Sequence, residues 1–443
     1  MASKLTLLAA LLLSACSGSL IDHNGFLATT CPQTVSACGL TCSACPIISN
    51  SQVSCLNSNC NYTSPDGGSD CALPSLAYPS GCATPASVAA GGDTTCAIVG
   101  GAVECWGVLP QGGKSALPVA IAGLTSATEI AVGGGHACAV QNHQVLCWGA
   151  NESGQTGQPA SAVVTVPTVV AGVDPSSSLT AGGHHTCIIV SGGGVSCWGN
   201  NDSNQLGDTG ASRNTPQLVA GTSGAASVSA GSAHTCMGTA GGASCWGAGA
   251  QGQIGNGSTA SASSPKAATF KGGGGTVPAL ALAAGEQHNC AIVNGEVQCW
   301  GAGGQGQLGD GTIGNQSLPQ KLNLVNATGV AAGGSHSCAF GPGGVVTGED
   351  GSATPAGLLC WGSNDSGQLG TGALSPSLLA APSTNAVSLA ELPSVVAAGT
   401  SHTCALLVHG ALLCWGNNGN GQLGINSAQT IIASPTQIAS AAR

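Results

Sequence analysis

Beyond residue 82, the apolar and polar positions recur in a fixed order. A run of small apolar residues ends in Ala-Gly, as in Val330-Ala331-Ala332-Gly333, and His-x-Cys, a short connection, Cys-Trp-Gly, a glycine-rich turn and a Pro-led apolar strand follow. Apolar residues at i, i+3, i+4 and i+7 are nowhere sustained, so the pattern predicts strands rather than helices. The unit occurs seven times, which indicates a repeat architecture.

The two cysteines of each unit predict a β-hairpin. The midpoint between Cys290 and Cys299 falls on Asn294-Gly295, and Asn-Gly is the strongest two-residue hairpin signal because both turn positions take positive φ. Opposed positions on antiparallel strands bring two thiols within disulfide reach, and a bridge over so short a loop contributes about 2.7 kcal/mol. The predicted pairs are Cys96 with Cys105, Cys138 with Cys147, Cys187 with Cys197, Cys236 with Cys245, Cys290 with Cys299, Cys338 with Cys360, and Cys404 with Cys414. All seven Trp directly follow the second Cys: Trp106, Trp148, Trp198, Trp246, Trp300, Trp361 and Trp415.

These units resemble the repeats of the regulator of chromosome condensation family. The likeness rests on His-Thr-Cys-Ala-Leu at 402–406, on Cys-Trp-Gly-Asn-Asn-Gly-Asn-Gly-Gln-Leu-Gly at 414–424 and on their six counterparts, and it spans residues 86–443. The resemblance implies an all-β fold, a seven-bladed β-propeller with one disulfide hairpin per blade, preceded by a small cysteine-rich module. A cysteine pair in every hairpin departs from the eukaryotic members of the family.

The order of strands at the two ends predicts how the ring closes. No Pro-led strand precedes the first hairpin, and no hairpin follows the last such strand, Ser434-Pro435-Thr436-Gln437-Ile438. We therefore expect residues 83–443 to form a propeller in which the C-terminal strand completes the first blade, so that no ring edge stays open.

The N-terminus predicts export and a lipid anchor. Lys4, the apolar residues 5–13 and Ser14-Ala15 form a signal peptide over residues 1–15, too short to span a bilayer. Leu13-Ser14-Ala15-Cys16 resembles the bacterial lipobox, which implies that Cys16 is diacylated and that residues 16–30 form a tether. By analogy with such lipoproteins, Ser17 favours the outer membrane of a bacterial envelope. The alternative is an ordinary cleaved signal.

Residues 31–82 form a separate cysteine-rich module with eight cysteines. Such a short segment buries little core and needs cross-links. Four disulfides in any of 105 connectivities would supply them. Zinc at Cys42-Ser43-Ala44-Cys45 is the alternative, although no second C-x-x-C follows at zinc-ribbon spacing.

Composition narrows the possible partners and the compartment. The chain has 23 cysteines, which indicates an oxidising compartment. Only 5% of residues are charged and the formal net charge is −10, so nothing predicts a basic patch for nucleic acid. Acidity this dilute does not by itself imply a cationic partner.

The candidate chemistry belongs to the repeat itself. His-x-Cys, which six units carry, could chelate zinc, but Thr94 replaces His in the first unit and the resemblance implies a structural His. Gly301-Ala302-Gly303-Gly304-Gln305-Gly306 matches a dinucleotide motif only as the repeat's own turn. Asp202, Asp310 and Asp365 fit no calcium-binding pattern and are interpreted as solvated turn residues. We expect no metal and no cofactor.

The sixth hairpin alone is long, with Cys338 and Cys360 enclosing an insertion that includes Glu349 and Asp350. Long loops on rigid scaffolds often carry binding, so these two residues mark a candidate binding loop. The alternative is a tolerated insertion.

Taken together, these features predict an envelope-anchored scaffold that binds a protein or glycan without catalysis and touches the membrane only through its anchor. By analogy with a β-lactamase inhibitor of similar repeats, an enzyme inhibitor is one alternative. An envelope-polymer hydrolase is a second, and the guanine-nucleotide exchange activity of the family's nuclear founder is a third.

Overall fold

A computed structural model describes residues 85–271, 279–347, 356–378 and 386–438, and four short strands nearer the N-terminus. Those four strands pair antiparallel as Leu20–Ile21 with Leu27–Ala28 and Gln52–Leu56 with Asn59–Thr63. Residues 1–84 belong to a different compact unit from the repeats. The predicted signal peptide, Cys16 and most of the predicted tether and cysteine-rich module lie outside the described residues.

The repeats form seven antiparallel sheets, called blades 1 to 7 in chain order. The first strands of the blades are Pro85–Gly91, Ala127–Val132, Pro175–Ala181, Ala225–Ala230, Ala279–Ala284, Gly329–Ala332 and Pro393–Ala398. The second strands are Thr94–Val99, His136–Gln141, His185–Val190, His234–Thr239, His288–Val293, His336–Thr347 and His402–Leu407. The third strands are Ala102–Val108, Gln144–Asn151, Gly194–Gly199, Gly242–Gly247, Glu296–Gly301, Ala356–Gly362 and Leu412–Asn417. The fourth strands, in blades 1 to 5 and 7, are Lys114–Ala120, Ser161–Val169, Arg213–Leu218, Ala262–Ala267, Gln316–Lys321 and Ile431–Gln437.

Blade 6 departs from this scheme. Its second strand is twelve residues long and pairs at its far end with a two-residue strand, Leu324–Val325. At the fourth-strand position the described residues form only isolated bridges, Leu359 with Ala386 and Gly362 with Ser377. Glu349 and Asp350, in the long hairpin of this blade, lie outside the described residues.

The predicted hairpin register is confirmed in all seven blades. Each first cysteine faces its partner across the second and third strands, and each pair forms a disulfide with Cα atoms 4.0–4.2 Å apart. Asn294 and Gly295 have φ of 52° and 78°, the positive values that a tight Asn-Gly turn needs. Described residues contain no helix long and apolar enough to cross a membrane.

The predicted closure of the ring by the C-terminal strand is wrong. Ile431–Gln437 pairs with Leu412–Asn417 in its own blade, and blade 1 is built from four consecutive strands, the last of which is Lys114–Ala120. In these blades, therefore, the Pro-led strand pairs with the hairpin of its own repeat, which lies just before it in the sequence. Among the described residues, the backbone bonds that join blade 7 to blade 1 come from loops of blade 7, from Thr400 to Gly92 at 2.9 Å and from Asn426 to Ala116 at 3.1 Å.

The core lies between the blades. All seven Trp side chains have no exposed surface. In the buried clusters, Trp198 packs with the disulfide of blade 2 and Trp361 with that of blade 5. Each disulfide therefore strengthens a hairpin and also supplies apolar surface to the next blade, in a chain with only 3% aromatic residues.

Candidate binding surface and the central channel

Strand direction assigns every loop to one of two faces of the ring. The first-to-second and third-to-fourth connections of each antiparallel blade lie at one end, and the second-to-third hairpins lie at the other. We call these ends the latch face and the hairpin face. The latch face takes its name from the latch loops, which are the third-to-fourth connections of blades 2 to 7.

Each latch loop contains a Gln-x-Gly string that holds the loop rigid. The Gln side-chain oxygen accepts a hydrogen bond from the backbone N–H two residues earlier, at 2.8–2.9 Å. The six residues are Gln155, Gln205, Gln253, Gln307, Gln368 and Gln422. Because the side chain is used inside its own loop, the backbone carbonyl of the same residue remains available to the next blade.

A hydrogen-bonded chain uses that carbonyl to join neighbouring blades. Between blades 3 and 4, the Thr235 hydroxyl donates to the Gln205 carbonyl at 3.0 Å and therefore accepts from His185 Nε2, 2.9 Å away. The indole N–H of Trp246 donates to the same carbonyl at 2.9 Å. Asn289 replaces the hydroxyl between blades 4 and 5, with its oxygen 2.9 Å from His234 Nε2 and its amide nitrogen 3.0 Å from the Gln253 carbonyl.

The same link from His to the next blade occurs at six of the seven seams. It joins His136 to Thr186, His185 to Thr235, His234 to Asn289, His288 to Ser337, His336 to Thr403 and His402 to Thr95. The last of these joins blade 7 to blade 1, and Thr95 donates in turn to the Gln422 carbonyl at 2.9 Å. Latch loop 7 therefore closes the ring.

The six histidines are structural, as the resemblance implied. All are fully buried, and burial lowers the pKa to about 3 for His136, His185, His288 and His336, and to about 4 for His234 and His402. The neighbouring cysteines are joined in disulfides. The Nε2 atom of each ring therefore serves the contact between blades, whereas the buried Nδ1 atoms have no hydrogen-bond partner among the described residues. No group of three or more potential metal ligands occurs in the described part of the chain.

The seam between blades 1 and 2 is the exception. Thr94 stands where the other blades have His, and Ala137 stands where they have Thr, Ser or Asn. Residues 109–113 form a short turn in place of a latch loop. The buried indole nitrogens of Trp148, at this seam, and of Trp106, at the seam between blades 7 and 1, have no hydrogen-bond partner among the described residues. The hydrogen-bonded chain therefore lacks three of its members at this seam: the histidine, the hydroxyl or amide side chain, and the Gln carbonyl of a latch loop.

The first strands enclose a central channel of about 510 Å³. Its wall consists mainly of Ala, Gly and other small apolar residues. The latch-face mouth carries His184, Ser232 and Glu286, and Thr400 donates a 2.7 Å hydrogen bond to the Glu286 carboxylate. Glu286 is the only carboxylate among the described lining residues. The literal dinucleotide motif at 301–306 lies in a latch loop, and a strand rather than a helix follows it.

Charged side chains divide unevenly between the two faces. Among the described residues, the latch face carries seven carboxylates and two cations: Asp93, Glu152, Asp202, Asp208, Glu286, Asp310 and Asp365, with Lys114 and Arg213. Arg213 is paired with Asp208 at 2.8 Å. The hairpin face is balanced, with Asp174, Glu296 and Glu391 against Lys266, Lys271 and Lys321. A strongly asymmetric field follows, although the overall charge density is low.

Sequence reasoning missed both the inter-blade link and this asymmetry. The link leaves a signal inside the chain itself, because the residue after His is Thr, Asn or Ser wherever the preceding repeat has both His and a Gln-x-Gly loop. Asp202 and Asp310 occupy turns as expected, and Asp310 accepts hydrogen bonds from Thr312 and Gln316. Their common face emerges only once strand directions are known.

Known sequences match the repeats. The regulator of chromosome condensation (RCC1) repeat matches residues 142–189, 192–237, 241–292, 294–340 and 357–406, and a second form matches 177–205 and 394–422. The chain is 29% identical over 156 residues to the ultraviolet-B receptor UVR8 of Arabidopsis thaliana and 33% identical over 159 residues to the human probable E3 ubiquitin-protein ligase HERC6. Each match covers 34% of this chain, but only 32% of UVR8 and 14% of HERC6. The chain thus spans a third or less of these relatives.

Solved structures agree on the fold. Human WBSCR16 superposes with a TM-score of 0.64 at 22% identity, covering 74% of this chain and 85% of that protein. Yeast RCC1 (Prp20), in its complex with Kap60, gives 0.63 at 21%, covering 76% and 84%. Prp20p of Saccharomyces cerevisiae, described together with its binding properties to Gsp1p and histones, gives 0.61 at 20%, covering 82% and 88%. Since the repeat matches more than half of its residues, the chain belongs to the regulator of chromosome condensation (RCC1) repeat family.

Proposed function

We propose that the protein is an exported lipoprotein that acts as a protein-binding scaffold, with the latch face as its binding surface. The observation that carries the proposal is the concentration of seven carboxylates on one face of a closed ring. A partner with a basic surface would be steered to that face and oriented on it. Yeast RCC1 bound to Kap60, and Prp20p with its binding to Gsp1p and histones, support a protein-binding role for this fold.

A catalytic role has less support. Hydrolysis of envelope polymers by paired carboxylates needs two such groups near one bond, and Glu286 is the only carboxylate lining the described channel. The HERC6 match covers 14% of that ligase, so its activity is not carried over to this chain.

Envelope capture with charge-reversal variants tests the binding surface. The triple variant Glu152→Lys, Asp202→Lys, Asp365→Lys alters three exposed latch-face carboxylates, and Asp174→Lys is the matched control on the hairpin face. We expect wild type and Asp174→Lys to retain the same protein partner, identified by mass spectrometry, and the triple variant to lose it. A partner lost only by Asp174→Lys, or a retained glycan with no protein, would contradict the proposal.

Fractionation tests the anchor separately. Seven buried disulfides support an oxidising compartment, and Cys16 is the residue proposed to carry the acyl chains. Cys16→Ala should move the protein from the membrane to the soluble fraction, whereas Ser19→Ala should leave it in place. Equal membrane retention of both variants would remove the anchor from the proposal.

A further inference from the structure

Latch loops also cover the fourth strand of the next blade. Backbone N–H groups donate from Gly257 to Ser317 O at 2.8 Å and from Gly372 to Ala433 O at 2.9 Å. Equivalent bonds run from Gly311 to Leu378 and from Asn426 to Ala116. At four seams, therefore, the outer edge of a blade is partly paired by a segment of the preceding blade.

In the part of the chain that the structure describes, no such bond reaches the fourth strands of blades 2, 3 and 4, and at blade 2 the latch loop itself is missing. Residues 109–113 of blade 1 turn back on themselves, with Leu109 N donating to Gly113 O and Gly112 N to Leu109 O. Among the described residues, no backbone bond from blade 1 reaches Ser161–Val169. The Trp148 indole nitrogen and Gln111 Oε1 are both buried there without a partner.

The uncovered strand is long, apolar and uncharged. Ser161–Val169 has nine residues, and Val163, Val166 and Val169 are 42%, 61% and 42% exposed. The fourth strands of blades 1, 3, 4 and 5 each carry a lysine or arginine: Lys114, Arg213, Lys266 and Lys321. Charges and prolines protect sheet edges from pairing with other chains. Here Pro167 sits late in the strand and leaves residues 161–166 able to pair.

Five of the other seams, all except the one between blades 7 and 1, show what chemistry fills this position. There the latch loop places a backbone carbonyl on the indole N–H, as Gln307 does for Trp361 at 3.0 Å. It must also carry glycine beside the ring, because a Cβ on Gly309 would lie 2.6 Å from the Trp361 nitrogen. A glycine-rich, extended loop satisfies both requirements.

We propose that the seam between blades 1 and 2 binds an extended, glycine-rich loop of a partner protein, which supplies from outside the indole acceptor that latch loops supply at five of the other seams. The turn at 109–113, in which Gly112 and Gly113 are exposed, moves outward. The loop gives a carbonyl to Trp148 Nε1, and its backbone pairs with residues 161–166. Such pairing is β-strand addition, in which main-chain hydrogen bonds provide the affinity. The site adjoins Asp93, whose backbone carbonyl accepts from Val108 N–H at 2.9 Å, but it includes none of the three carboxylates changed in the capture variant.

A peptide that copies residues 248–257, the uncharged latch segment of blade 4 whose Gln253 carbonyl accepts from Trp300, is the probe. In ¹⁵N-tryptophan-labelled protein the Trp148 indole signal, assigned with Trp148→Phe, should shift saturably on titration while the Trp198 signal stays fixed. Val166→Lys should weaken binding at least tenfold. Leu218→Lys, on the 64% exposed Leu218 of blade 3, should not.

Three results would overturn the proposal: no Trp148 shift, equal binding by Val166→Lys, or a shift that follows protein concentration without peptide. The last result would assign the seam to a second copy of the chain. None of them would alter envelope capture through Glu152, Asp202 and Asp365, so failure here is distinguishable from failure of the latch-face proposal.

Discussion

At the scale of single residues, the contact between neighbouring blades depends on buried side chains that donate to one shared backbone carbonyl. The Gln205 carbonyl accepts from both Thr235 and Trp246, and Thr235 accepts from His185. Because the hydroxyl donates to the carbonyl, His185 must carry its proton on Nε2. The ring therefore requires neutral histidine in one tautomer, and Asn289 enforces the same tautomer on His234 through its amide oxygen.

Removing the hydroxyl from one such link should cost stability. Thr235→Val keeps the shape but leaves the His185 N–H buried without an acceptor, and Gln205 O keeps the Trp246 bond. We expect the free energy of unfolding in denaturant to fall by about 1–3 kcal/mol. Thr215→Val, at an exposed position on the fourth strand of blade 3, should change it by less than about 0.5 kcal/mol. Equal effects of the two variants would show that the link contributes little.

Acid should destabilise the ring steeply. The buried histidines have a pKa of about 3 or about 4, below the ordinary value of 6.5. Below pH 6.5, therefore, the histidines of the unfolded chain bind protons and those of the folded chain do not. Stability is therefore full above pH 6.5 and is lost as pH falls towards 4. With six such groups the slope approaches roughly 8 kcal/mol per pH unit.

Denaturant midpoints measured from pH 7.5 down to 4.5 check this dependence. His185→Gln should reduce the slope by about 1.4 kcal/mol per pH unit, which corresponds to one proton. Thr215→Val, which removes no titratable group, should leave the slope unchanged. A flat profile for wild type would mean that the folded and unfolded chains bind the same number of protons, and would contradict the lowered pKa values of the buried histidines.

At the scale of elements, the hairpins were predictable because their information is local. Asn294-Gly295 fixes the turn, and the turn fixes the register that opposes Cys290 to Cys299. The hairpin of blade 4 keeps the same two-residue turn at Ala240-Gly241 without positive φ at either position. The pairing partners of the Pro-led strands were not predictable. In a ring of similar repeats, the sequence is equally compatible with pairing to the preceding hairpin and to the following one.

Loop length should set what each disulfide contributes. On the chain-entropy account, replacing Cys290 and Cys299 by Ala costs about 2.7 kcal/mol, and replacing Cys338 and Cys360, 22 positions apart rather than 9, costs about 0.7 kcal/mol more. Both double variants remove the same volume of buried sulfur. The difference between their losses of unfolding free energy therefore measures the effect of loop length. Unfolding free energies of the two variants that agree within error would contradict an entropic origin.

At the scale of the whole molecule, the ring is closed by a loop rather than by a strand. Latch loop 7 carries Gln422, whose carbonyl accepts from Thr95, and its side-chain amide donates to Asp93 at 3.1 Å. Lys114 of blade 1 donates to Asn420 in the same loop. Sequence could not reveal this closure, since Gln422 and Thr95 are separated by 327 positions and their pairing follows only from the circular arrangement of the blades.

Two truncations separate loop closure from strand closure. A chain that ends at residue 430 loses Ile431–Gln437 but keeps latch loop 7, so the seam with blade 1 should survive and Trp106 should stay buried. A chain that ends at residue 417 loses the loop as well, and Trp106 should then become accessible to quenchers while the protein aggregates or is digested by added protease. Tryptophan quenching and limited proteolysis of both chains, with full-length protein as the reference, measure the difference. If the shorter deletion already opened the seam, the C-terminal strand rather than the Gln422 loop would be what holds blade 7 to blade 1.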